Sequence, residues 1–364
     1  MLPFIKETET AWDRLKNTKK PVVLYGMGNG ADKILDWCEA NGVKVAAIFA
    51  SDDFVRGQIF RGYTICKYAD VASQYQDFLL VIAFASESPV ILEHFFALAE
   101  KHETLAPHLP LFEGDEVVSF SWLAKYQPEL MEVYAALADE KSREVLAATL
   151  NYKLSGKLSY LEAITTMRQE DCQQVFSFGK DETFVDLGAY DGDTIKEFLN
   201  YTDSSYREIV ALEPDSKNFK KLQRFVVEAG LEHVHLLNKG IWSEEGTLSF
   251  AASGGRQSAL HSDGRVEVPV DSVDHIMQGR TVSYMKLDVE GAEFEALSGS
   301  AETIGKWAPK LFVAAYHRDN DLWRLPLLLR YLNKNYDIYL RKHPYVPAWE
   351  LNFLAVSQED TQGQ

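Results

Sequence analysis

Five polar side chains stand at the ends of apolar, strand-like runs in the second half of the chain. They are Asp186, Glu213, Asn238, Asp288 and His317. Ligands of open α/β sheets bind beyond the carboxyl ends of the strands, so these side chains are expected to surround one crevice. Carboxylates and an imidazole in such a crevice can accept hydrogen bonds from ligand hydroxyls, orient a cation, bind a metal or take up a proton.

The first of these side chains lies in the stretch FVDLGAYDGDT, residues 184–194. An apolar strand end leads into a turn that contains Gly188 and Gly192, and a helix is predicted to follow from Thr194. This is the geometry with which α/β proteins hold nucleotide-like ligands. Because three aspartates lie in the stretch, it suits a ligand with ribose hydroxyls and positive charge better than one with pyrophosphate. S-adenosylmethionine is such a ligand, and we predict it as the cofactor.

Glu213 ends the second strand of the same unit, where a carboxylate can accept hydrogen bonds from both ribose hydroxyls. Each such charge-assisted bond contributes about 1.5 to 3 kcal/mol. An alternative interpretation makes Glu213 only a favourable charge at the N-terminus of the helix that follows it. Together with the loop that opens at Asp186, the ligand interpretation is favoured.

A second acidic stretch, KLDVEGAEFEALSG, covers residues 286–299. Asp288 and Glu290 fall at the end of a buried strand and in the following loop, where Gly291 lets the backbone turn. Glu295 is expected on a solvated helix face. Carboxylates at the strand end could orient a sulfonium, bind a metal or act as a general base.

The elements that position these residues alternate between strand and helix, which predicts an α/β protein with parallel sheets. We predict a smaller Rossmann-like α/β domain over residues 1–114, a helical connector over 115–176 and a second α/β domain over 177–364. Tyr336 to Arg341 and Leu351 to Val356 are predicted as the closing pair of strands. A polar loop, Ser253 to Gly264, and the aromatic segment Tyr336 to Trp349 are expected to line the acceptor pocket.

The first strand of the N-terminal domain runs into a glycine-rich turn that matches GxGxxA at Gly26, Gly28 and Ala31. An acidic pair, Asp52 and Asp53, follows about 25 residues later, as in a dinucleotide fingerprint. Two interpretations stay open. The turn could bind NAD or a nucleotide sugar, or it could be only a tight connection.

The net charge of the chain excludes some classes of binding partner. The 364 residues carry 37 Lys and Arg against 54 Asp and Glu, a formal charge of −17, which argues against nucleic acid and anionic membranes as partners. The three cysteines show no CxxC spacing, and no apolar run approaches the roughly 18 residues of a spanning helix. We therefore expect a cytoplasmic protein, with a homo-oligomer left open.

Four stretches of the second half resemble the FkbM family of S-adenosylmethionine-dependent methyltransferases. They are VDLGAYDGDT (185–194), ALEPD (211–215), KLDVEGAE (286–293) and PKLFVAAYH (309–317). The resemblance implies a class I methyltransferase fold for residues 177–364, with the sheet closed by an antiparallel strand. It also implies methyl transfer to a hydroxyl oxygen, so that the expected partner is a small-molecule or glycan hydroxyl acceptor. Carried over by position, it implies cofactor-binding residues at Asp186, Gly188, Asp191, Gly192, Asp193, Thr194, Glu213, Asn238 and Asp288. Among these, the loop would hold the methionine portion, Glu213 the ribose, and the Asn238 region the adenine.

Methyl transfer to a hydroxyl needs positioning and a group that takes the acceptor proton. We predict Asp288, Glu290 and His317 as the catalytic residues, with Glu290 and His317 as candidate bases and Asp288 shaping the methyl-donor site. A histidine at a strand end can instead be a structural hydrogen-bonding group. Spacing alone does not indicate a metal site, and none is predicted. A protein that binds the cofactor without turnover is the alternative from another functional class.

Overall fold

The computed structural model describes residues 2–112, 114–250 and 266–358. The polar loop expected to line the acceptor pocket, residues 253–264, lies outside them. None of the helices in the described ranges is both long and apolar enough to cross a bilayer.

The N-terminal part is a four-stranded parallel sheet with the order β2-β1-β5-β6. Its strands are β1 (Val22–Tyr25), β2 (Val45–Phe49), β5 (Leu79–Ile82) and β6 (Glu103–Leu105), and a short hairpin of β3 (Ile59–Phe60) and β4 (Tyr63–Thr64) follows β2. Its helices are α1 (Ala11–Asn17), α2 (Asn29–Ala40), α3 (Tyr68–Gln74) and α4 (Pro89–Ala99). The strands are almost wholly apolar and buried, as parallel strands covered on both faces must be.

The glycine-rich turn between β1 and α2 brings backbone very close to β5. A Cβ on Gly30 would lie 2.3 Å from the carbonyl oxygen of Ala83, and a Cβ on Gly26 would lie 2.6 Å from the ring of Phe84. Packing of α2 against the end of β5 therefore requires small residues at these positions, whether or not a ligand binds here.

Five helices follow the first sheet: α5 (Phe120–Lys125), α6 (Gln127–Ala136), α7 (Glu140–Ser155), α8 (Leu158–Ile164) and α9 (Arg168–Val175). The longest, α7, begins where the Asp139 carboxylate accepts a hydrogen bond from the backbone N–H of Ser142, and it ends at Gly156, whose φ of 68° is left-handed. Val145, Leu146 and Leu150 form its buried stripe. This stripe belongs to the same apolar cluster as the strands of the second sheet, so the helices are part of the core.

The second sheet has seven strands in the order β15-β16-β14-β13-β7-β8-β9. These strands are β7 (Thr183–Leu187), β8 (Glu208–Leu212), β9 (Val234–Leu237), β13 (Tyr284–Leu287), β14 (Lys310–Ala314), β15 (Tyr336–Lys342) and β16 (Leu351–Ser357). A small sheet of β10 (Gly240–Ile241), β11 (Gly246–Phe250) and β12 (Val266–Asp271) follows β9. The helices are α10 (Asp193–Tyr201), α11 (Ser216–Glu228), α12 (Val273–Met277), α13 (Glu293–Ser298), α14 (Ala301–Trp307) and α15 (Asp321–Leu332).

In the second sheet, β16 runs antiparallel to both β14 and β15, whereas β13, β7, β8 and β9 run parallel to β14. This arrangement confirms the predicted class I methyltransferase fold closed by an antiparallel strand. The chain after β15 contacts the N-terminal domain, because Ser86 and Val346 exchange a pair of backbone hydrogen bonds of 2.8 and 3.0 Å. The aromatic segment Tyr336 to Trp349 thus forms a sheet edge and an interdomain contact.

A buried charged triad joins the three parts of the chain. The Asp319 carboxylate lies 2.6 Å from Nζ of Lys153 in α7 and 2.8 Å from Nε2 of His108, which follows β6. It also accepts a hydrogen bond from the backbone N–H of Val118. Burial would raise the pKa of Asp319, but the close contacts with His108 and Lys153 outweigh burial and lower it. The stabilisation is therefore present above the ordinary pKa of an aspartate and is lost as the pH falls below it.

Replacing Lys153 with methionine should lower the free energy of unfolding by about 3 to 5 kcal/mol, since it leaves a buried carboxylate short of its main partner. Urea unfolding of both proteins measures this loss. The matched control is Lys125→Met, which breaks the exposed Lys125–Glu116 pair and should have a much smaller effect. Equal losses in the two variants would show that the triad does not hold the three parts together.

Candidate functional site

The sheet order brings the five polar strand ends to one edge. Along that edge stand Asn238 after β9, Glu213 after β8, Asp186 at the end of β7, Asp288 after β13 and His317 after β14. Neighbouring strands in this series are parallel, so their carboxyl ends meet side by side. A single row of acceptors and one imidazole therefore borders the crevice.

The loop between β7 and α10 depends on two glycines in left-handed conformations. Gly188 has a φ of 84°, and a Cβ there would lie 2.0 Å from the carbonyl oxygen of Asp288. Gly192 has a φ of 94°, and a Cβ there would lie 2.3 Å from the ring of Phe225. Both positions therefore need glycine for conformation and for space. The close approach also fixes the loop directly against the end of β13.

Asp186 is fully buried and holds the loop from below. Its Oδ2 accepts a 2.7 Å hydrogen bond from the Thr194 hydroxyl, and its Oδ1 lies 3.7 Å from Nζ of Lys286. Lys286 also donates a 2.9 Å hydrogen bond to the carbonyl of Gly188. Burial raises the pKa of Asp186, and Lys286 opposes that shift. Asp186 and Thr194 thus position the loop from beneath it, while Asp191 is half-buried and Asp193 is exposed at the start of α10.

Glu213 is buried, and both of its oxygens are oriented by backbone donors. Oε2 accepts from the N–H of Tyr190 and Oε1 from the N–H of Asp215, each at 2.9 Å. Burial raises the pKa of Glu213 to about 7. Asn238 lies directly beside Glu213, because its Nδ2 donates to the backbone carbonyls of Glu213 at 2.8 Å and Pro214 at 3.1 Å. A carboxylate has about four lone-pair positions, so two of them stay available to ligand hydroxyls.

His317 lies in a pocket of three carboxylates. Its Nδ1 is 2.9 Å from Oε1 of Glu293, and its Nε2 is 3.4 Å from Oε2 of Glu290 and 3.6 Å from Oδ1 of Asp288. Burial alone would lower the pKa of His317, but Glu293, Glu290 and Asp288 outweigh burial and raise the pKa well above its ordinary value. Each imidazole nitrogen therefore lies within ion-pair distance of at least one carboxylate.

Asp288, Glu293 and His317 each place one possible ligand atom within 4.8 Å of the others, which is close enough for a divalent cation. The carboxylates that raise the pKa of His317 favour its protonated form. A metal at this cluster would need the neutral imidazole, since only that form is a ligand.

Several residues of the site were not singled out as site residues from the sequence. Glu293, rather than the neighbouring acidic residues of α13, turns inward to His317 and accepts a 2.9 Å hydrogen bond from the N–H of Val289. The Tyr316 hydroxyl donates to Oδ1 of Asp288 at 3.1 Å. Glu293 and Glu290 both lie in the KLDVEGAE stretch, and the position of Glu293 at the first turn of a helix is the one signal that could have distinguished it.

Residues 186–346 match a family model described as the methyltransferase FkbM domain. The matched range contains all five strand-end side chains and every residue predicted for the site. No curated protein sequence matches the chain.

Among solved structures, the chain is similar to the FkbM methyltransferase from Methylobacillus flagellatus KT, with a TM-score of 0.73 and 18% identity over 98% of this chain and 95% of that chain. The shared fold therefore includes the N-terminal sheet and the helices between the two sheets. An rRNA methylase from Streptococcus thermophilus matches with a TM-score of 0.34 and 11% identity over 52% of this chain and 93% of its own. Fibrillarin from Aeropyrum pernix, with bound S-adenosyl-L-methionine, matches with a TM-score of 0.33 and 9% identity over 52% and 73%.

Proposed function

We propose that this chain, which belongs to the FkbM methyltransferases, takes its methyl group from S-adenosylmethionine and transfers it to a hydroxyl oxygen of a sugar, a glycoconjugate or a related small metabolite. The observation that carries this proposal is the row of strand-end side chains, and within it the environment of Glu213. Glu213 is buried and oriented by two backbone donors, and it keeps two lone-pair positions for a diol.

The residues of the crevice fit the cofactor in charge as well as in hydrogen bonding. Glu213 would accept hydrogen bonds from the ribose hydroxyls, and the Asn238 side would lie toward the adenine. The loop with Gly188, Asp191 and Gly192 would hold the methionine portion, with Asp186 and Thr194 supporting it from below. When bound, S-adenosylmethionine supplies an electrophilic methyl group on a sulfonium, and Asp288 is the carboxylate that suits this positive charge.

Glu290 is our choice for the group that takes the acceptor proton. Its side chain is 47% exposed, whereas that of His317 is 1% exposed and lies among carboxylates that raise its pKa. Glu290 has a left-handed φ of 54°, a strained conformation that aims a non-glycine side chain and is found at functional sites. His317 then orients Glu290 and Asp288, whose oxygens lie 3.4 and 3.6 Å from its Nε2. All three remain in the proposed catalytic set.

The proposal predicts transfer of label from methyl-labelled S-adenosylmethionine to at least one member of a panel of glycosides, glycans and hydroxylated metabolites. The measurement is the radioactivity recovered in the acceptor after incubation with the full chain. Transfer should depend on Asp288, so Asp288→Asn is the paired negative control. Saturable binding of S-adenosylhomocysteine without transfer to any member would instead favour a protein that binds the cofactor without turnover.

A further inference from the structure

A cavity of about 200 Å³ opens beside the proposed catalytic residues, with Glu290 and without Glu213 among its lining residues. Its lining comes from the loop after β13, the chain after β14, the residue after β10 and the N-terminal half of the molecule. Glu290 belongs both to the cavity lining and to the carboxylate cluster around His317, since its Oε2 lies 3.4 Å from Nε2 of that histidine. A molecule in this cavity would therefore reach the proposed proton acceptor directly.

The lining combines an aromatic wall with charged hydrogen-bonding groups of both signs. Trp242 follows β10, and Phe294 of α13 lies under the guanidinium of Arg324, with 4.1 Å between the guanidinium carbon and the ring centroid. Among the described residues, the Arg324 guanidinium has no carboxylate partner within ion-pair distance. Its planar fork of donors can take two neighbouring oxygens of a ligand. Glu290 and Glu295 supply acceptors around the same space.

The N-terminal half positions the Glu290 side of the cavity through Arg318. Nη1 of Arg318 lies 2.7 and 2.9 Å from the two oxygens of Asp115, and its Nε donates to the carbonyl of Gly291 at 3.2 Å. The guanidinium also lies over the ring of Phe112. Asp115 thus fixes Arg318, and Arg318 fixes the turn that carries Glu290.

The turn itself is packed against the N-terminal half. Gly291 has a φ of 93°, and a Cβ there would lie 2.7 Å from the ring of Phe112. The next residue along the chain from Arg318 is Asp319, which the buried triad with His108 and Lys153 holds in place. Arg318 and Asp319 are therefore each held by residues outside the matched range 186–346, and Arg318 in turn contacts the turn that carries Glu290.

We propose that this cavity binds the acceptor as a hydroxyl-rich carbohydrate ring, and this inference rests on the proposed function. Trp242 packs against the face of the ring, Arg324 donates to two of its oxygens, and Asp115 acts as a positioning residue through Arg318. A ring with several hydroxyls suits a lining in which acceptors, a donor fork and an aromatic plane lie together. The N-terminal half therefore takes part in acceptor selection.

The test is saturation-transfer NMR on the full chain at saturating S-adenosylhomocysteine, with the methyl glycosides of glucose, mannose, galactose, rhamnose and glucuronic acid as probes. At least one glycoside should bind. Trp242→Ala and Arg324→Ala should each weaken that binding about tenfold, the scale of one lost stacking or charge-assisted contact, with unchanged affinity for S-adenosylhomocysteine. The matched control is Arg330→Ala, on the same helix as Arg324 and outside the cavity lining.

Asp115→Asn tests the positioning role. It should weaken glycoside binding without moving the urea midpoint, and Asp115→Glu should restore part of the loss. If only the glucuronic acid glycoside binds, the inference is supported, because the carboxylate of that sugar would pair with the Arg324 guanidinium. Binding of S-adenosylhomocysteine with no glycoside bound, or with glycoside affinity unchanged in both cavity variants, would overturn this inference and leave the proposed function standing. Absence of S-adenosylhomocysteine binding would overturn the proposed function itself.

Discussion

Replacing Glu213 with alanine should weaken binding of S-adenosylhomocysteine by a factor of about 100 or more. Two charge-assisted hydrogen bonds to the ribose, each of about 1.5 to 3 kcal/mol, would be lost together, and 1.4 kcal/mol is tenfold in affinity. Because burial raises the pKa of Glu213 to about 7, the accepting carboxylate is lost as the pH falls below that value. Affinity of the wild type should therefore decrease from pH 8 to pH 6, and this dependence should disappear in the variant.

Calorimetric titration measures both effects. Glu228→Ala is the matched control, since Glu228 is exposed on α11, the helix that follows Glu213. The backbone donors of Tyr190 and Asp215 also lose their partner in Glu213→Ala, so the urea midpoint of each protein has to be measured beside the affinity. A fall in stability with unchanged affinity for S-adenosylhomocysteine would make Glu213 a support of the loop rather than a ligand of the ribose.

Glu290→Gln should reduce kcat by a factor of about 100 to 10,000, the range in which a positioned general base contributes. The amide keeps the size of the side chain but cannot take the proton of the acceptor hydroxyl. Affinity for S-adenosylhomocysteine should stay within a few-fold of the wild type, because Glu290 lines the cavity that we propose for the acceptor. Single-turnover transfer to the acceptor identified with labelled cofactor is the measurement.

Glu302→Gln is the matched control for this variant, since Glu302 is an exposed glutamate on α14. It should retain wild-type turnover. If Glu290→Gln turns over at a rate close to the wild type, the proton goes elsewhere. In that case His317→Asn, which removes the imidazole from the three carboxylates, becomes the variant with the larger loss.

The position of the site could be predicted because it depends on local rules. Parallel strands place their carboxyl ends at one edge, so Asp186, Glu213, Asn238, Asp288 and His317 were expected together, and the sheet order places them there. The resemblance to FkbM methyltransferases was confirmed by the family match, and the class I fold by the strand order. The individual roles of these residues stay predictions.

The contacts that complete the site could not be predicted, because they join residues far apart in the chain. Asp115 reaches Arg318 across 203 positions, and His108 reaches Asp319 across 211. No periodicity encodes such pairs. The choice between Glu293 and Glu295 was also hidden, since both lie in one short acidic helix and only the packing of α13 decides that Glu293 turns toward His317.

In the N-terminal half, the parallel sheet could be predicted from the sequence, whereas the hairpin and the reason for the glycine-rich turn could not. A parallel sheet was predicted there from the alternation of strand and helix, and β2, β1, β5 and β6 form it. The hairpin of β3 and β4 was not predicted, because each strand has only two residues and shows no alternation. The turn at Gly26, Gly28 and Ala31 resembled a dinucleotide fingerprint, but close packing near the end of β5 already requires small residues at Gly26 and Gly30.

Titration of the full wild-type chain with S-adenosylhomocysteine at pH 8 tests the central claim most directly. The arrangement of Glu213, the glycine-bearing loop and Asp288 predicts saturable binding at one site per chain. It also predicts that NAD, added at the same concentration, does not compete for that site. Absence of any binding of S-adenosylhomocysteine would contradict the account.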